Sequence, residues 1–200
     1  MELTISHGPR DGRHPGLKGR ELPEEVLCQL WAENLRRQGS SWGRAVSHSM
    51  RPLIAEGDRV LVERIPREEV GFGDIVVFPG AGQLTVHRIL GRRRVGGREY
   101  FLEKGDHNFW AGLVPSNDVV GRVGAIETSG AVLWLTSRRW RLLQHLLALY
   151  SYLTWRWWTF GERVLPPWVR GKVQGRWPRR LCRLPPRMLL YLVGTRTSCL

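Results

Sequence analysis

The sequence predicts a mainly β fold, a small antiparallel sheet or partly closed barrel with an N-terminal helix and a C-terminal amphipathic helix. Between residues 59 and 126, short apolar runs are separated by Gly, Pro and Asp turns, and no long helical pattern lies between them. After residue 128 the apolar positions recur at helical spacing, and arginine becomes frequent. At 200 residues the chain is long enough for one domain with appendages.

Composition and periodicity divide the chain into five segments. They are residues 1–20, a disordered leader; 21–43, a helix packing on the core; 44–128, a β domain; 129–160, a Trp- and Arg-rich amphipathic helical segment; and 161–200, a basic tail rich in Pro and Arg. In the second segment Pro23 suits the first turn of a helix, and Gly39 follows the helix as a stop. An apolar stripe that includes Leu30 and Trp31 marks the side that packs.

The β domain is expected to contain five strands joined by short turns. Their approximate bounds are 59–64, 74–78, 84–90, 100–103 and 119–126. The third of these alternates most regularly, and it places His87 on one face and Arg88 on the other. Gly96 and Gly97 favour a hairpin between the third and fourth strands.

The positive charge of the chain is concentrated at its C-terminal end. Residues 131–200 contain twelve Arg and one Lys against a single acid, Glu162, and so carry +12 of the formal net charge of +13. Together with the apolar helical stripe in residues 138–160, this charge indicates an anionic membrane surface as a partner. The alternative is a helix that packs on the β domain and is followed by a basic tail. Nucleic-acid binding is not expected, because no motif supports it.

The sequence does not indicate export, a disulfide framework or a metal site. The three cysteines, Cys28, Cys182 and Cys199, match neither a disulfide framework nor a metal-ligand spacing. Residues 1–18 contain no apolar run typical of a secretory signal, and no stretch of about 18 consecutive apolar residues predicts a membrane span. We therefore expect a cytoplasmic or peripheral membrane location, with no metal and no other cofactor.

A polar loop at the edge of the β region, residues 47–58, contains the candidate nucleophile Ser49. A serine hydroxyl needs a base within hydrogen-bond reach, and donors for the oxyanion, before it can attack a carbonyl. His48 is a poor base because neighbouring side chains diverge, whereas His87 lies in a regular strand that can face a loop on an adjoining strand. The structural alternatives are a turn serine and a half-buried strand histidine.

Six short boxes occur in a fixed order across residues 44–127. They are Ser47-x-Ser49-Met50-x-Pro52, Gly57-Asp58-x-Val60-Leu61-Val62, Gly73-Asp74-Ile75-Val76-Val77-Phe78, Val86-His87-Arg88-Ile89, Lys104-Gly105-Asp106-x-Asn108 and Val120-Gly121-Arg122-Val123. This ordered set resembles the type I signal peptidase family, and the order is more specific than any single box. The leader, the first helix and the C-terminal part lie outside the resemblance.

The resemblance implies a mostly β fold with an exposed groove, where a precursor or signal peptide binds as an added strand and is cleaved after small residues. It implies that Ser49 attacks the scissile carbonyl and that His87 is the base, as in the Ser–His branch of the family. The Ser49 backbone N–H and the Ser47 hydroxyl would form the oxyanion hole. Met50 and Pro52 would contact the substrate.

The acid that orients the histidine is missing from the place where the family has it. In the Ser–His branch this acid follows the Gly-Asp-x-Asn box by a few positions, but residues 108–112 contain none. Asp106 is the expected orienting group, and Asp118 is a more distant candidate. Lys104 is expected to be a solvated loop lysine. His48 stands where the family usually has glycine, so a positive φ there would strain it.

Two other functions are compatible with these residues. A chain that keeps the peptide groove but lacks an orienting acid would be a catalytically weak or silent peptide-binding homologue. A self-cleaving transcriptional repressor shares this type of domain, but it needs a lysine at the position of His87 and an Ala-Gly site before the serine. Both Ala-Gly pairs of this chain, at Ala81 and Ala111, follow Ser49. The endopeptidase is therefore the preferred prediction.

Overall fold

The computed structural model describes residues 2–4, 24–80 and 83–164. Within these ranges the chain forms an antiparallel sheet of nine strands and two α-helices. The elements are β1 (Glu2–Thr4), α1 (Glu24–Gln38), β2 (Ser40–Ala45), β3 (Arg59–Glu63), β4 (Ile75–Pro79), β5 (Leu84–Val95), β6 (Arg98–Lys104), β7 (Gly112–Pro115), β8 (Gly121–Thr128), β9 (Ala131–Trp134) and α2 (Arg138–Val164). The expected mainly β antiparallel fold with a helix near each end is therefore confirmed.

The strands lie in the order β1-β2-β3-β8-β4-β5-β6-β7, and β9 pairs with β8. β1 also pairs with β5, so this three-residue strand lies between β2 and β5. Only two register pairs join β1 to each neighbour, and the sheet as a whole is not a closed barrel. The strand that precedes Ser49 and the strand that carries His87 are thereby held close together.

All five expected strand regions form strands, within β3, β4, β5, β6 and β8, and the predicted hairpin joins β5 to β6. Gly96 and Gly97 in its turn have φ +56° and +79°, the positive values that such a two-residue turn requires. Strands β2, β7 and β9 were not predicted, because short runs such as Ser-Ser-Trp-Gly-Arg-Ala in β2 lack an alternating apolar pattern. β1 lies inside the segment expected to be a disordered leader. Residues 5–20 of that segment are outside the described residues.

The two faces of the sheet carry separate apolar clusters. The larger cluster includes Val86 of β5 and extends to Trp31 of α1. The smaller one consists of Val70, Val76, Phe78, Ile89, Phe101 and Val114. Because side chains alternate along a strand, His87 lies on the face of the smaller cluster, opposite to Val86 and Arg88.

Helix α2 packs on the sheet through one of its faces. Trp140, Leu143 and Leu147 join the larger cluster, and Ala148 packs with residues of β5 and β6. The packing of this helix on the β domain, given above as the alternative interpretation, is therefore observed, and the helix continues to Val164. The opposite face of α2 is exposed.

Two expectations concern the membrane and the tail. In the part of the chain that the structure describes, neither helix is long and apolar enough to cross a membrane. Of the predicted basic tail, residues 161–164 belong to α2, and residues 165–200 lie outside the described residues.

A one-residue bulge interrupts the pairing of β5 with β6. Counted from the hairpin turn, Gly91 pairs with Leu102, but Ile89 then pairs with Glu103, so that Leu90 is the extra residue. Gly91 has φ +151°, a value that favours glycine. Because a shift of one residue exchanges the faces of a strand, the bulge places Glu103 on the face of Ile89 instead of the opposite one.

Candidate active site

Ser49 lies in the loop that follows β2, and local hydrogen bonds shape this loop. The N–H of Arg51 donates to the carbonyl of His48 at 3.1 Å. Further along, a carboxylate oxygen of Asp58 accepts the N–H of Ala55 at 2.7 Å. Hydrogen bonds of this kind, from side chain to backbone and within the backbone, stabilise one conformation of a turn. The serine is therefore held at a defined corner of the fold.

Strand β5 brings His87 to Ser49. The distance between His87 Nε2 and Ser49 Oγ is 3.2 Å. In this arrangement Nε2 accepts the hydroxyl hydrogen, because the other ring nitrogen faces a carboxylate and carries the proton there. Phe78 packs edge-on against the imidazole at a ring-centroid distance of 6.0 Å. The structure thus brings together the two residues that the sequence predicted as nucleophile and base.

Glu103 holds the other nitrogen of His87. Its Oε2 accepts a hydrogen bond from His87 Nδ1, and each of the two side chains is 14% exposed. Since Ile89 is the register partner of Glu103, His87 and Glu103 are diagonal neighbours on one face of the β5–β6 pair. A carboxylate at Nδ1 fixes the tautomer whose Nε2 can take a proton, and it stabilises the imidazolium that forms.

Gly112 on β7 leaves the room that the Glu103 side chain occupies. The two residues pair directly across β6 and β7, and a Cβ on Gly112 would collide with Oε1 of Glu103. Gly112 ends the stretch in which the resemblance placed the orienting acid. The carboxylate therefore comes from the neighbouring strand, across the same cross-strand pair.

Glu103 was not predicted from the sequence, and the reason is physical. In a regular hairpin with the observed turn, Glu103 would pair with Leu90 and would lie on the face opposite to His87. The bulge moves Glu103 to the face of His87, but it leaves no periodic pattern in the sequence from which it could be predicted. The sequence did contain one signal for Glu103. A glycine, Gly112, stands where an acid was expected, and a glutamate lies in a neighbouring strand.

Asp106 has a different partner from the one expected. Its two carboxylate oxygens accept hydrogen bonds from Nε and Nη2 of Arg88 at 2.8 and 2.7 Å. Arg88 is fully buried, and its Nη1 also donates to the Gly73 carbonyl at 2.9 Å. A buried guanidinium needs such bidentate pairing to offset its lost hydration. The expectation that Asp106 orients His87 is thereby corrected, since Asp106 pairs with Arg88 and anchors the loop after β6.

The loop after β6 lies directly on the backbone of Ser49. The N–H of His107 donates to the Ser49 carbonyl at 2.8 Å. A Cβ on Gly105 would lie 2.7 Å from that carbonyl oxygen and 3.0 Å from His87 Nε2. Glycine is therefore required for the loop to approach this closely. The Arg88–Asp106 pair thus helps to hold the backbone of Ser49 through this loop.

The remaining predicted site residues have separate outcomes. Met50 is fully buried in the larger apolar cluster, so its expected contact with substrate is corrected to a core role. Pro52 and Ser47 are half-buried in the Ser49 loop, and their roles in substrate binding and in the oxyanion hole stay predictions. His48 is exposed and has no positive φ, so the strain considered for it does not arise. Asp118 is exposed in the turn before β8.

Lys104 is buried, not solvated as expected. It is 2% exposed, and its Nζ donates to Ser151 Oγ of α2 at 2.7 Å and to the Gly105 carbonyl at 3.3 Å. As the strand neighbour of Glu103, it projects from the opposite face of β6. Lys104 therefore links α2 to the sheet.

Ser49, His87 and Glu103 form one hydrogen-bonded series of hydroxyl, imidazole and carboxylate. In such a series the imidazole takes the hydroxyl proton as the oxygen attacks a carbonyl carbon, and the carboxylate stabilises the resulting charge. The arrangement recurs on unrelated folds that catalyse acyl transfer, so geometry and not sequence position identifies it.

Comparison with known proteins adds no assignment to this geometry. No family model matches the chain, and no curated protein matches it. In residues 2–4, 24–80 and 83–164, no cluster of His, Cys, Asp or Glu residues could hold a metal ion. A surface cleft of about 690 Å³ is lined by residues that include Arg94, Arg98 and Tyr100, and it does not include Ser49 or His87.

Proposed function

We propose that this protein is a serine endopeptidase of signal-peptidase type, with Ser49 as nucleophile, His87 as general base and Glu103 as orienting carboxylate. The observation that supports it most is the hydrogen-bonded series of these three side chains. Each comes from a different element, the loop after β2, strand β5 and strand β6, so local sequence alone does not explain their meeting. The ordered sequence boxes around Ser49 and His87 support the same assignment.

In the proposed reaction the Ser49 oxygen attacks the scissile carbonyl carbon while His87 Nε2 accepts the hydroxyl proton. The Ser49 N–H and the Ser47 hydroxyl are the proposed donors to the oxyanion. As the C–N bond breaks, His87 returns the proton to the leaving amine. Water then attacks the acyl-enzyme, with His87 again taking and returning a proton, and the second peptide leaves as a carboxylate.

The proposed substrate is a precursor or signal peptide that binds in extended form and is cleaved after a small residue, as in Ala-x-Ala. This preference rests on the family resemblance of the boxes in residues 44–127. A strand added beside β2 or β5 would bring a peptide bond past Ser49, because Ser49 follows β2 and His87 lies in β5.

Cleavage of an Ala-x-Ala precursor peptide by the full chain tests the proposal. Ser49→Ala and His87→Ala are each expected to lower kcat/KM by about 10³-fold or more. His145→Ala removes another imidazole, one exposed on α2, and is expected to retain the parent rate. Cleavage that persists in Ser49→Ala would overturn the assignment of the nucleophile.

A fluorophosphonate probe tests the serine without knowledge of the substrate. The activated Oγ forms a bond to phosphorus and fluoride leaves, so the parent chain is expected to be labelled at Ser49. Labelling of His87→Ala is expected to be slower by about 10²-fold or more, since the base is lost. A parent chain that neither reacts with the probe nor cleaves the peptide would exclude the proposed activity.

The catalytically silent peptide-binding homologue is the second candidate function. The absence of an acid from residues 108–112 motivated it, and Glu103 supplies a carboxylate to His87 from the adjoining strand. The self-cleaving repressor gains no support, because an imidazole and not a lysine amine lies 3.2 Å from Ser49 Oγ.

A further inference from the structure

Helix α2 is apolar on two opposite faces, and only one of them packs on the sheet. The buried face includes Trp140, Leu147 and Trp158. The other face carries an outer stripe whose side chains are 42–68% exposed. Its members are Leu142, Leu146, Leu149, Leu153, Trp157, Phe160 and Val164. They recur every three or four residues, so they form one continuous apolar surface about 33 Å long.

Charged residues of α2 are distributed unevenly around this outer stripe. At about 100° of rotation per residue, Arg138, Arg156 and Arg163 lie along one border of the stripe, and all three are exposed. Glu162, the helix's one acid, lies on the side of the buried residues and is itself half-buried. The exposed surface therefore combines an apolar stripe with a cationic border and no acid.

We propose that the outer stripe of α2 lies in the interface of a bilayer that contains anionic lipid, with the helix axis parallel to the membrane plane. Leucine, tryptophan and phenylalanine would enter the boundary of headgroups and acyl chains, and the bordering arginines would contact lipid phosphates. The length of the stripe suits an in-plane helix. The inference uses none of the proposed catalytic residues, so it stands independently of the peptidase activity.

Charge complementarity favours an anionic lipid surface as the partner of the outer stripe. The two other candidates are a second copy of the chain and residues 165–200. A second copy packed antiparallel on this stripe would bring the arginine border of one α2 close to that of the other. Residues 165–200 contain seven Arg and one Lys and no acid, so they would be repelled by the same border. An anionic lipid surface attracts both the border and these residues.

Contact with a membrane on this side would leave the candidate active site accessible. α2 covers the face of β5 and β6 from which Lys104 projects, as the contact between Lys104 and Ser151 shows. His87 and Glu103 project from the other face. The stripe is on the side of α2 that faces away from the sheet, so lipid would not need to enter the Ser49 region.

Sedimentation of the full chain with vesicles tests the proposal. The chain is expected to bind vesicles of phosphatidylglycerol and phosphatidylcholine, and to bind pure phosphatidylcholine at least about tenfold more weakly. Leu153→Glu is expected to lower the affinity by about tenfold or more, because an apolar contact is lost and a charge enters the interface. Val95→Glu is the matched control, since Val95 at the β5–β6 turn is 55% exposed and Leu153 is 57% exposed.

A second pair of variants separates the arginine border from the rest of the cationic charge. Arg156→Gln with Arg163→Gln is expected to lower affinity for the anionic vesicles by about tenfold or more. Arg93→Gln with Arg94→Gln removes the same charge from the exposed end of β5 and is expected to have a smaller effect. Parent protein that does not bind anionic vesicles, or Leu153→Glu that binds as well as Val95→Glu, would refute the proposal. A dimer in solution that Leu153→Glu dissociates, without vesicle binding, would assign the stripe to a second copy instead.

The N-terminal strand β1 carries a second, independent inference. Leu3 pairs with Ala45 of β2 on one side and with Leu84 of β5 on the other. β2 leads into the Ser49 loop, and β5 reaches His87 three residues after Leu84. β1 is antiparallel to both neighbours.

We infer that Glu2–Thr4 occupies the strand position that a substrate peptide needs, so that the N-terminal segment competes with substrate. This inference rests on the proposed function. The backbone hydrogen-bonding groups of β2 and β5 that an added peptide would use are engaged by β1. Competition of this kind raises KM and leaves kcat unchanged, because it affects binding and not the reacting groups.

Leu3→Pro tests the competition, because proline removes the strand N–H and does not fit between two strands. It is expected to lower KM for the Ala-x-Ala peptide by about tenfold with kcat unchanged. Anisotropy of a labelled peptide on Ser49→Ala protein, with and without Leu3→Pro, measures competition without cleavage. Equal affinity in those two proteins would overturn the inference, whereas tighter binding without cleavage by the parent would overturn only the proposed function.

Discussion

The two faces of strands β5 and β6 carry charged pairs of different kinds. On one face His87 and Glu103 are each 14% exposed. On the other, Arg88 and Asp106 are 0% and 6% exposed, and the guanidinium is further bonded to a backbone carbonyl. The Arg88–Asp106 pair is thus bonded within the protein and shielded from solvent. The His87 imidazole is partly accessible and lies beside the Ser49 hydroxyl.

The comparison shows how neighbouring residues divide two tasks. His87 and Arg88 are adjacent in sequence. The pleat of the strand places His87 on the face that meets Ser49 and Glu103, and Arg88 on the opposite, buried face. Asp106, bound to Arg88, begins the loop whose His107 N–H donates to the Ser49 carbonyl. The buried pair therefore holds the backbone of Ser49, and the partly exposed pair lies at its hydroxyl, where the proposed mechanism needs a base.

The largest expected effect comes from the charge of Glu103. Glu103→Gln is expected to lower kcat/KM by about 10³- to 10⁴-fold, because the amide neither stabilises the imidazolium nor selects the required tautomer. Peptide hydrolysis measures this, and thermal unfolding checks that the fold is kept. Glu99→Gln on the same strand, which removes an exposed pair with Arg92, is the control. An equal loss in both variants would show that the effect is not specific to His87.

The buried pair is expected to affect stability more than chemistry. Arg88→Met leaves the Asp106 carboxylate buried without its cation, which is expected to lower the free energy of unfolding by about 3–5 kcal/mol. Urea denaturation measures the change. Arg94→Met at the exposed end of β5 is expected to stay within about 0.5 kcal/mol of the parent. A loss below about 1 kcal/mol for Arg88→Met would contradict the role assigned to this pair.

The bulge in β5 decides which face of the β5–β6 pair Glu103 occupies. Gly91→Ala is expected to cost about 1–3 kcal/mol of unfolding free energy, since alanine is strained at φ +151°. It is also expected to lower kcat/KM by more than about tenfold, because the Glu103–His87 hydrogen bond depends on the register at Gly91. Gly97→Ala strains the hairpin turn at φ +79° without reaching the bulge. If Gly97→Ala lowers activity as much, the bulge has no special part in catalysis.

The smallest expected effect is a partial recovery of activity when the carboxylate is moved from β6 to β7. In the Glu103→Ala background, Gly112→Asp is expected to raise kcat/KM by about tenfold, because the new carboxylate arises across the same cross-strand pair. In the parent background Gly112→Asp is expected to lower activity, since its Cβ collides with Glu103 Oε1. Steady-state kinetics on the four proteins gives the coupling. If the effects of the two substitutions are independent and additive, the two side chains do not compete for one position beside His87.

Much of the fold followed from local pattern. Alternation and glycine turns predicted the strands around His87, and the ordered boxes pointed to Ser49 and His87 as a pair. Asp106 was expected to orient His87 because it is the acid that remains in its box when residues 108–112 contain none, but the face of the strand decides which acid reaches the histidine. Asp106 bonds to Arg88, which projects from the face opposite to His87.

Helix α2 shows a second limit of pattern. The apolar stripe predicted within residues 138–160 includes both Leu142 and Leu143, which lie next to each other in sequence. In the structure Leu143 is buried and Leu142 is 63% exposed. A helix that is apolar on two faces gives one broad signal, and only its packing against the sheet separates the core face from the outer stripe.

Gly112 has a consequence for how inactive enzymes are recognised. An alignment with Ser–His signal peptidases, the family that the sequence boxes resemble, would set a glycine where that family has an acid, and the chain would be classified as a pseudoenzyme. Yet Glu103 on β6 supplies a carboxylate to His87 from the position that pairs with Gly112, whose missing side chain leaves space for it. A missing catalytic residue is therefore best judged after its cross-strand neighbour has been inspected.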